Sequence, residues 1–382
     1  MTKILHVTED HSFMNTGITS AVDALARQIS QAVDQEILSI GPEAVPVPKG
    51  VQLTLLKAGL PGGVWRAAPG QRSILRQSVT HANIVLLHGI WMWPQWAAAR
   101  EAHRMRRPVI LTTHGMLEPW IWQRQIWLHQ LKKILYWRFM ANPAFQHAAV
   151  VHALTPKEAK TLSAYFPGQR IEIIPSSLDL DQIDNTLADC PQDHAANPYI
   201  LFLGRLHPVK GIDLLIQSFA RLRIGEVKLK IAGSIQEKDK SYYRYLSDLV
   251  RQLGLEKQVE FLDSVQGKEK WNLYRNAWAF YLPSHSEGFA MVNLEASACR
   301  TPVITTFQSG VTDLWATHGG ILIQPDVDQI AESLIQVTQW TKDERDRRGN
   351  SLRRLIEQTY SSKVIAPKWI ALFQELEKTS HV

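Results

Sequence analysis

In Leu201–Phe219, LFLGRLHPVKGIDLLIQSF, an apolar strand runs into Gly204, and Arg205 and Lys210 then bracket the start of a helix. A glycine at that point permits a tight turn and close approach of a ligand. A planar guanidinium fork with a mobile ammonium can hold two adjacent phosphates, although the same two residues also make an ordinary surface charge pair. In Leu282–Ile304, LPSHSEGFAMVNLEASACRTPVI, Glu287 and Glu295 stand eight residues apart, one on a loop and one inside the following helix. Carboxylates accept hydrogen bonds from vicinal hydroxyls, as on a ribose or hexose, while either Glu alone also reads as a solvated helix charge. Gly288, Phe289 and Ala290 place backbone N–H groups at the helix start, where an anion or a sugar oxygen fits.

Short apolar runs alternating with helical patterns must position these residues, and that alternation predicts βα units with parallel sheets. In the first half the expected strands are Ile4–Thr8, Gln35–Ile40, Ile84–Leu87, Val109–Thr113, Ala148–His152 and Ile171–Ile174. Helices are expected at Ile18–Gln31, Gln95–Met105, Gln123–Met140 and Pro156–Tyr165, the last capped by Thr155 with Glu158 three residues on. Between Pro42 and Gly70 the prolines and the Gly62–Gly63 pair predict irregular backbone. Residues 185–198, NTLADCPQDHAANP, read as an interdomain linker, after which the pattern restarts with a strand at Tyr199–Leu203 and a helix at Val209–Leu222. A chain of 382 residues divides best into two α/β domains, 1–184 and 199–361, with a last helical piece in 362–382 packing back on the first. Two such domains are expected to face each other across a deep cleft, with helix N-termini suited to phosphate.

With 45% hydrophobic and 20% charged residues, the composition excludes a disordered chain, a coiled coil and a collagen-like repeat. No run approaches the length of a membrane span, and MTKILHVTED does not read as a signal peptide. Cys190 and Cys299 are the only cysteines, which supports neither a disulfide framework nor a cysteine-ligated zinc site and points to a reducing cytoplasm. A net charge of +6 favours anionic partners in a general way. The basic residues form no recognisable nucleic-acid reader, so no nucleic-acid partner is expected. Between Glu101 and Met140 the chain is both basic (Arg104, Arg106, Arg107, Arg124, Lys132, Lys133, Arg138) and rich in tryptophan (Trp120, Trp122, Trp127, Trp137, with Trp91, Trp93 and Trp96 just before). Two readings stand: aromatics packed in an α/β core with a basic rim, or reversible contact with a lipid headgroup layer.

The two segments together resemble the donor-binding signature of the retaining, nucleotide-sugar-dependent glycosyltransferases of family 4, which have the GT-B fold of two Rossmann-like α/β/α domains. Gly204–Arg205, Lys210–Gly211 and Glu287–Gly288–Phe289 through Glu295 match its elements, most strongly over residues 199–325. The resemblance implies that Arg205 and Lys210 neutralise the donor diphosphate as the glycosidic bond breaks. It implies that Glu295 binds the ribose hydroxyls, and that Glu287, with backbone at Phe289, Ala290 and Met291, binds the transferred sugar. It assigns acceptor binding to the first domain and donor binding to the second. In the first domain Gly17, in Asn15–Thr16–Gly17–Ile18, would approach the diphosphate and acceptor, and His114 of His114–Gly115, a catalytic candidate, would stand beside the transferred sugar's 6-hydroxyl and the reacting centre. His88–Gly89, before Ile90–Trp91, is similar to a variant of bacterial exopolysaccharide enzymes and would line the acceptor wall.

Four positions depart from the family pattern. Pro175–Ser176–Ser177–Leu178–Asp179 replaces a Pro-Asn-Gly element, and Arg300 stands where a glycine precedes x-Pro-Val. Asp263 stands for a glycine after Phe-Leu, and Ser309–Gly310–Val311–Thr312–Asp313 for a Gly-Gly-x-x-Glu loop. The expectation is a hexosyltransferase using UDP-glucose, with no cofactor and no metal. Its acceptor would be a glycan or polyprenyl-diphosphate-linked glycan, in exopolysaccharide or envelope polysaccharide synthesis. It would be cytoplasmic, with peripheral contact to the inner membrane. The alternatives are a nucleotide-sugar-binding regulator without transfer activity and a sugar-nucleotide epimerase.

Overall fold

The computed structural model describes residues 1–11, 17–41, 46–57, 59, 65, 67–118, 127–190, 198–222 and 227–379. They form two compact units, one of residues 1–177 with 362–382 and one of residues 178–361. Strand β1 is Lys3–Val7, β2 Asp34–Ile40, β3 Val51–Leu56, β4 Ile84–His88, β5 Val109–Thr112, β6 Val150–Ala153 and β7 Ile171–Ile173. These seven make one parallel sheet in the order β3-β2-β1-β4-β5-β6-β7. In the second unit β8 is Tyr199–Leu203, β9 Lys228–Ala232, β10 Val259–Leu262, β11 Ala279–Leu282, β12 Val303–Thr306 and β13 Ile321–Ile323. These six are again parallel, in the order β10-β9-β8-β11-β12-β13. Strand order reverses between β1 and β4 and between β8 and β11. In such sheets the crevice beyond the carboxyl ends of those strands is where ligands bind.

Both faces of each sheet are covered, so the strands read as continuous apolar runs rather than alternating ones. One face of the first sheet packs Ile4, Ile84, Leu86, Ile110 and Val150 against Leu25 and Ile29 of helix Gly17–Ile29 and against Ile365, Trp369, Leu372 and Phe373 of helix Ser362–Thr379. The other packs Leu5, Val7, Val85, Leu87 and Leu111 under helices Arg72–His81 and Trp93–Arg104, with Trp93 buried and Trp65, Trp91, Trp96 and Trp137 beside it. The core of the second unit gathers Ile200, Phe202, Leu215, Ile231, Phe280, Leu294 and Trp315.

Several expected boundaries shift. The stretch expected to be irregular between 42 and 70 contains β3, which pairs with β2 from Gln35↔Val51 to Ile40↔Leu56; part of the rest, Gly62–Gly63 included, lies outside the described residues. The chain crosses between units at Ser177/Leu178, not within 185–198. Asp179 caps helix Leu180–Ala188 by accepting from Gln182 N, and Leu180, Ile183 and Leu187 join the second core, so the expected linker begins inside a packed helix. Residues 191–197 lie outside the described ones. The single helix expected at Val209–Leu222 is a 3-10 turn at Pro208–Lys210 followed by an α-helix at Ile212–Phe219, broken by left-handed Gly211.

The tryptophan-rich segment is partly packed and partly exposed. Tyr136 and Trp137 pack on the first core, with Trp137 edge-on to Tyr165 and Phe166. Leu131, Ile134, Leu135 and Phe139 of the same helical stretch are exposed, Phe139 by 67%. Trp120 and Trp122 lie outside the described residues. No described helix is long and apolar enough to cross a membrane.

Candidate functional site

The loops after β8 and β11 converge because Gly211 lacks a side chain. Its φ is +66°, and a Cβ there would lie 2.3 Å from the Pro283 carbonyl oxygen. His285 N donates to Val209 O at 2.8 Å, joining the same two loops. The approach brings Lys210 Nζ to 2.6 Å from Glu287 Oε1, which also accepts from Ser284 Oγ at 2.6 Å. Both partners are mostly shielded, with 17% and 13% of the side chains exposed, so removing either member leaves a poorly solvated charge behind. Arg205 is partly buried nearby in sequence and makes no hydrogen bond or ion pair among the described residues. Gly204 follows β8 with its N–H on Ala232 O, and Gly233 is the residue that needs to be glycine here, since its Cβ would fall 1.8 Å from Gly204 O.

A second pair lies one helix further on. Glu295, on helix Met291–Ala298, accepts from Lys270 Nζ at 2.8 Å and from the Tyr274 hydroxyl at 3.0 Å, both carried by helix Gly267–Asn276. Burial raises the Tyr274 hydroxyl well above its ordinary value, with Glu295 adding to the effect, so it acts as a donor. Nothing in the sequence pattern singles out Lys270, Tyr274 or Ser284; their partners become visible only once the helices pack.

The expected row of free N–H groups at Gly288–Met291 is shorter than anticipated. Ala290 N donates to Ser309 O and Met291 N to Phe289 O, whereas Gly288 and Phe289 N–H take no partner among the described residues. Gly310, at φ +77°, brings its strand-end loop so close that a Cβ would meet Gly288 O at 2.6 Å.

In the first unit His114 follows β5 in a left-handed turn, φ +51°, next to Gly115 at +74°. Glu158 pins that turn: its Oε1 accepts from Gly115 N at 2.8 Å and from Thr113 Oγ1 at 2.9 Å, and its Oε2 from Leu154 N at 2.8 Å. From sequence Glu158 reads only as part of the helix cap, which it also makes through Thr155. His114 is one end of a chain across the sheet. Its Nε2 lies 3.1 Å from His88 Nδ1, His88 Nε2 lies 3.1 Å from His6 Nδ1, and His6 Nε2 lies 3.1 Å from Gln35 Oε1. The rings stack, with centroids 5.4 Å and 5.3 Å apart. On the neighbouring strand His152 contacts Thr112 Oγ1 and Ile174 O. Burial pulls His6 down to about 4, His152 to about 4, His88 well below its ordinary value, and His114, with His152 beside it, to about 3.

Other expected residues are placed less tellingly. Gly17 is exposed at the first position of its helix, where a Cβ would meet nothing within 4 Å, and Asn15 and Thr16 lie outside the described residues. Gly89, next to His88, has φ +96°. Arg300 keeps the left-handed φ of +61° that a glycine would adopt, over Gly349, whose Cβ would lie 1.9 Å from Arg300 O. Ser177 Oγ donates to Gln28 Oε1, and Asp263 is exposed after β10.

Residues 16–182 match the family described as Glycosyltransferase Family 4, and residues 191–361 the family described as Glycosyl transferases group 1. Among sequences, the chain is 35% identical over 130 residues to a D-inositol 3-phosphate glycosyltransferase of Stackebrandtia nassauensis, covering 32% of this chain and 29% of that one. The chain spans less than half the length of the curated relatives it matches. Among solved structures, the sucrose-phosphate synthase of Thermosynechococcus elongatus superposes with a TM-score of 0.79 at 19% identity, over 99% of this chain and 100% of that one. Anabaena HepE, solved in complex with UDP and glucose, gives 0.77 at 18% identity, over 98% and 100%. Both architectures are those of GT-B glycosyltransferases, and with the two domains matched in order the chain belongs to the family 4 glycosyltransferases.

Proposed function

We propose that this chain is a retaining transferase that moves glucose from UDP-glucose to a glycan or polyprenyl-diphosphate-linked glycan, in exopolysaccharide or envelope polysaccharide synthesis. The observation that carries the reading is Lys210 held against Glu287, five residues after Arg205 in the chain, at the point where the strand order of the second sheet reverses. An ammonium has three donors, so Lys210 can keep Glu287 and still donate to a phosphate oxygen. Arg205 and Lys210 then supply the charge that the departing diphosphate needs, without a metal ion. Glu295 takes the ribose hydroxyls in exchange for Lys270 or Tyr274. Glu287 takes hydroxyls of the transferred sugar, with the N–H groups of Gly288 and Phe289. His114 takes a further hydroxyl of that sugar. The bond from C1 to the phosphate oxygen breaks, the acceptor oxygen bonds C1 on the same face, and the acceptor proton passes to the leaving phosphate.

The exposed Leu131, Ile134, Leu135 and Phe139, interleaved with exposed Lys132 and Arg138, suit an anionic lipid surface and support a lipid-linked acceptor met on the cytoplasmic face of the inner membrane. A donor panel tests the reading, with release of nucleoside diphosphate followed with and without membrane lipid extract, and with and without a chelator. UDP release from UDP-glucose that depends on the extract and survives the chelator is expected. Conversion of the donor without an acceptor would indicate an epimerase, and binding without turnover a regulator.

A further inference from the structure

The hydrogen bonds of the histidine chain admit one placement of protons. Gln35 Nε2 donates to the Ala26 carbonyl at 2.8 Å, and a carbonyl has no proton to give, so the amide must turn its oxygen toward His6. That oxygen also lacks a proton, and the 3.1 Å contact with His6 Nε2 therefore needs the proton on His6. A neutral imidazole carries one N–H, which leaves His6 Nδ1 bare. The contact between His6 Nδ1 and His88 Nε2 then takes its proton from His88, and the same step moves the requirement on to His114 Nε2. His114 Nδ1 is left as a lone pair with no partner among the described residues, on a residue that is not fully buried. Burial of all three rings keeps them neutral, as this count requires.

We infer that Gln35, acting through His6 and His88, sets the tautomer of His114, so that His114 offers a lone pair to a hydroxyl group and offers no proton. Gln35, His6 and His88 are positioning residues. The chain also ends blindly: an amide oxygen takes up no proton, so a proton accepted by His114 has no exit along it. His114 is therefore an acceptor for a substrate hydroxyl rather than the base that clears the acceptor's proton. Among the described residues, the groups around the row do not open another path. His11 and Asp23 flank the His6 end, with His11 Nε2 3.3 Å from Asp23 Oδ1, while His152 bonds Thr112 and Ile174. Glu158 fixes the backbone at Gly115, next to His114.

That the hydroxyl belongs to the transferred sugar rests on the function proposed above; the tautomer does not. Long-range 1H–15N correlation spectra of the full chain, with 15N-labelled histidine at neutral pH, read each ring directly. His6, His88 and His114 are each expected in the Nε2–H form, and a proton on His114 Nδ1 overturns the inference. Gln35→Met removes the terminal acceptor, and the Nδ1–H form of His114 should become detectable, with Gln35→Glu, which keeps an acceptor facing His6, returning the single form. His88→Phe, which keeps a stacked ring but breaks the chain, asks the same question should Gln35→Met fail to fold. An unchanged His114 signal in the folded variant overturns the relay. Deoxy analogues of the donor provide the second arm. In the wild type, loss of the hydroxyl that meets His114 should lower kcat/KM about tenfold, the weight of one hydrogen bond, and in His88→Phe that penalty should shrink. If no donor is turned over, the assignment of the hydroxyl fails while the spectra still decide the tautomer.

Discussion

At the carboxyl ends of its strands the first unit carries His6, His88, Thr112 and His152 in one buried row, whereas the second carries Lys210 against Glu287 and Lys270 against Glu295. Both arrangements hide polar groups from water, and each satisfies them differently. Neutral rings exchange single hydrogen bonds along a line, so that disturbing one member reassigns protons on the rest. Ion pairs concentrate the interaction in two atoms, so that removing one member strands a charge. The first device suits fine discrimination among neutral hydroxyls, and the second suits a partner that itself brings charge.

Acid should break this contrast most strongly. The folded values of His6 and His152, about 4, lie below the ordinary 6.5 of an unfolded histidine. The unfolded chain therefore binds more protons in between, and the stability that the neutral rings contribute is complete above pH 6.5 and lost as pH falls toward 4. At pH 5 this amounts to about 2 kcal/mol for each of the two rings, with His88 acting in the same direction. Hydrogen exchange resolved by peptide should show the opening free energy of residues 1–177 falling between pH 7 and 5 by more than that of residues 178–361, where none of the described histidines is buried. Equal loss in both units would remove the contrast.

Lys210→Ala addresses the charged side. Loss of a preorganised donor to a developing anion lowers kcat by roughly 100- to 1,000-fold, about 3–4 kcal/mol, and steady-state release of UDP measures it. Circular dichroism should show the fold retained. Turnover within a factor of two of wild type would take Lys210 out of the diphosphate's path.

Gly211→Ala asks whether the close approach of two loops is what aligns that lysine. A methyl group 2.3 Å from Pro283 O, on a residue at φ +66°, forces the loops apart and costs about 1–3 kcal/mol. Thermal denaturation should register the loss, and kcat should fall along with Tm. A drop in Tm with kcat unchanged would show that Lys210 finds its place without the turn.

The smallest effect concerns the surface. Phe139→Ser, at a side chain that is 67% exposed, leaves the core untouched and should weaken sedimentation with anionic vesicles several-fold, about 1–2 kcal/mol. Vesicle binding equal to that of wild type would detach the apolar face from the membrane proposal.

Much of this was legible in the residue order. The alternation of strands and helices gave the two parallel sheets, and the spacing of Gly204–Arg205, Lys210–Gly211 and Glu287 through Glu295 led to the charged site. What stayed hidden depended on packing between distant segments. Val51–Leu56 lies among prolines and glycines, and only its six-residue register with β2 makes it a strand. Lys270 and Tyr274 sit on an ordinary polar helix pattern, and meeting Glu295 is a matter of how two helices dock. His6 interrupts an apolar run that otherwise reads as a buried strand, which was the available sign of the chain it joins, whereas Gln35, between Asp34 and Glu36, carried no such sign.

The division of the chain has a consequence for synthesis. The second unit is contiguous, while the first is split, its sheet lying near the start and one of its covering helices, Ser362–Thr379, at the far end. On the ribosome, Leu178 to Ser361 can therefore reach a finished tertiary structure while Ile4, Ile84 and Val150 still wait for Trp369 and Phe373, so the half translated first is the half completed last.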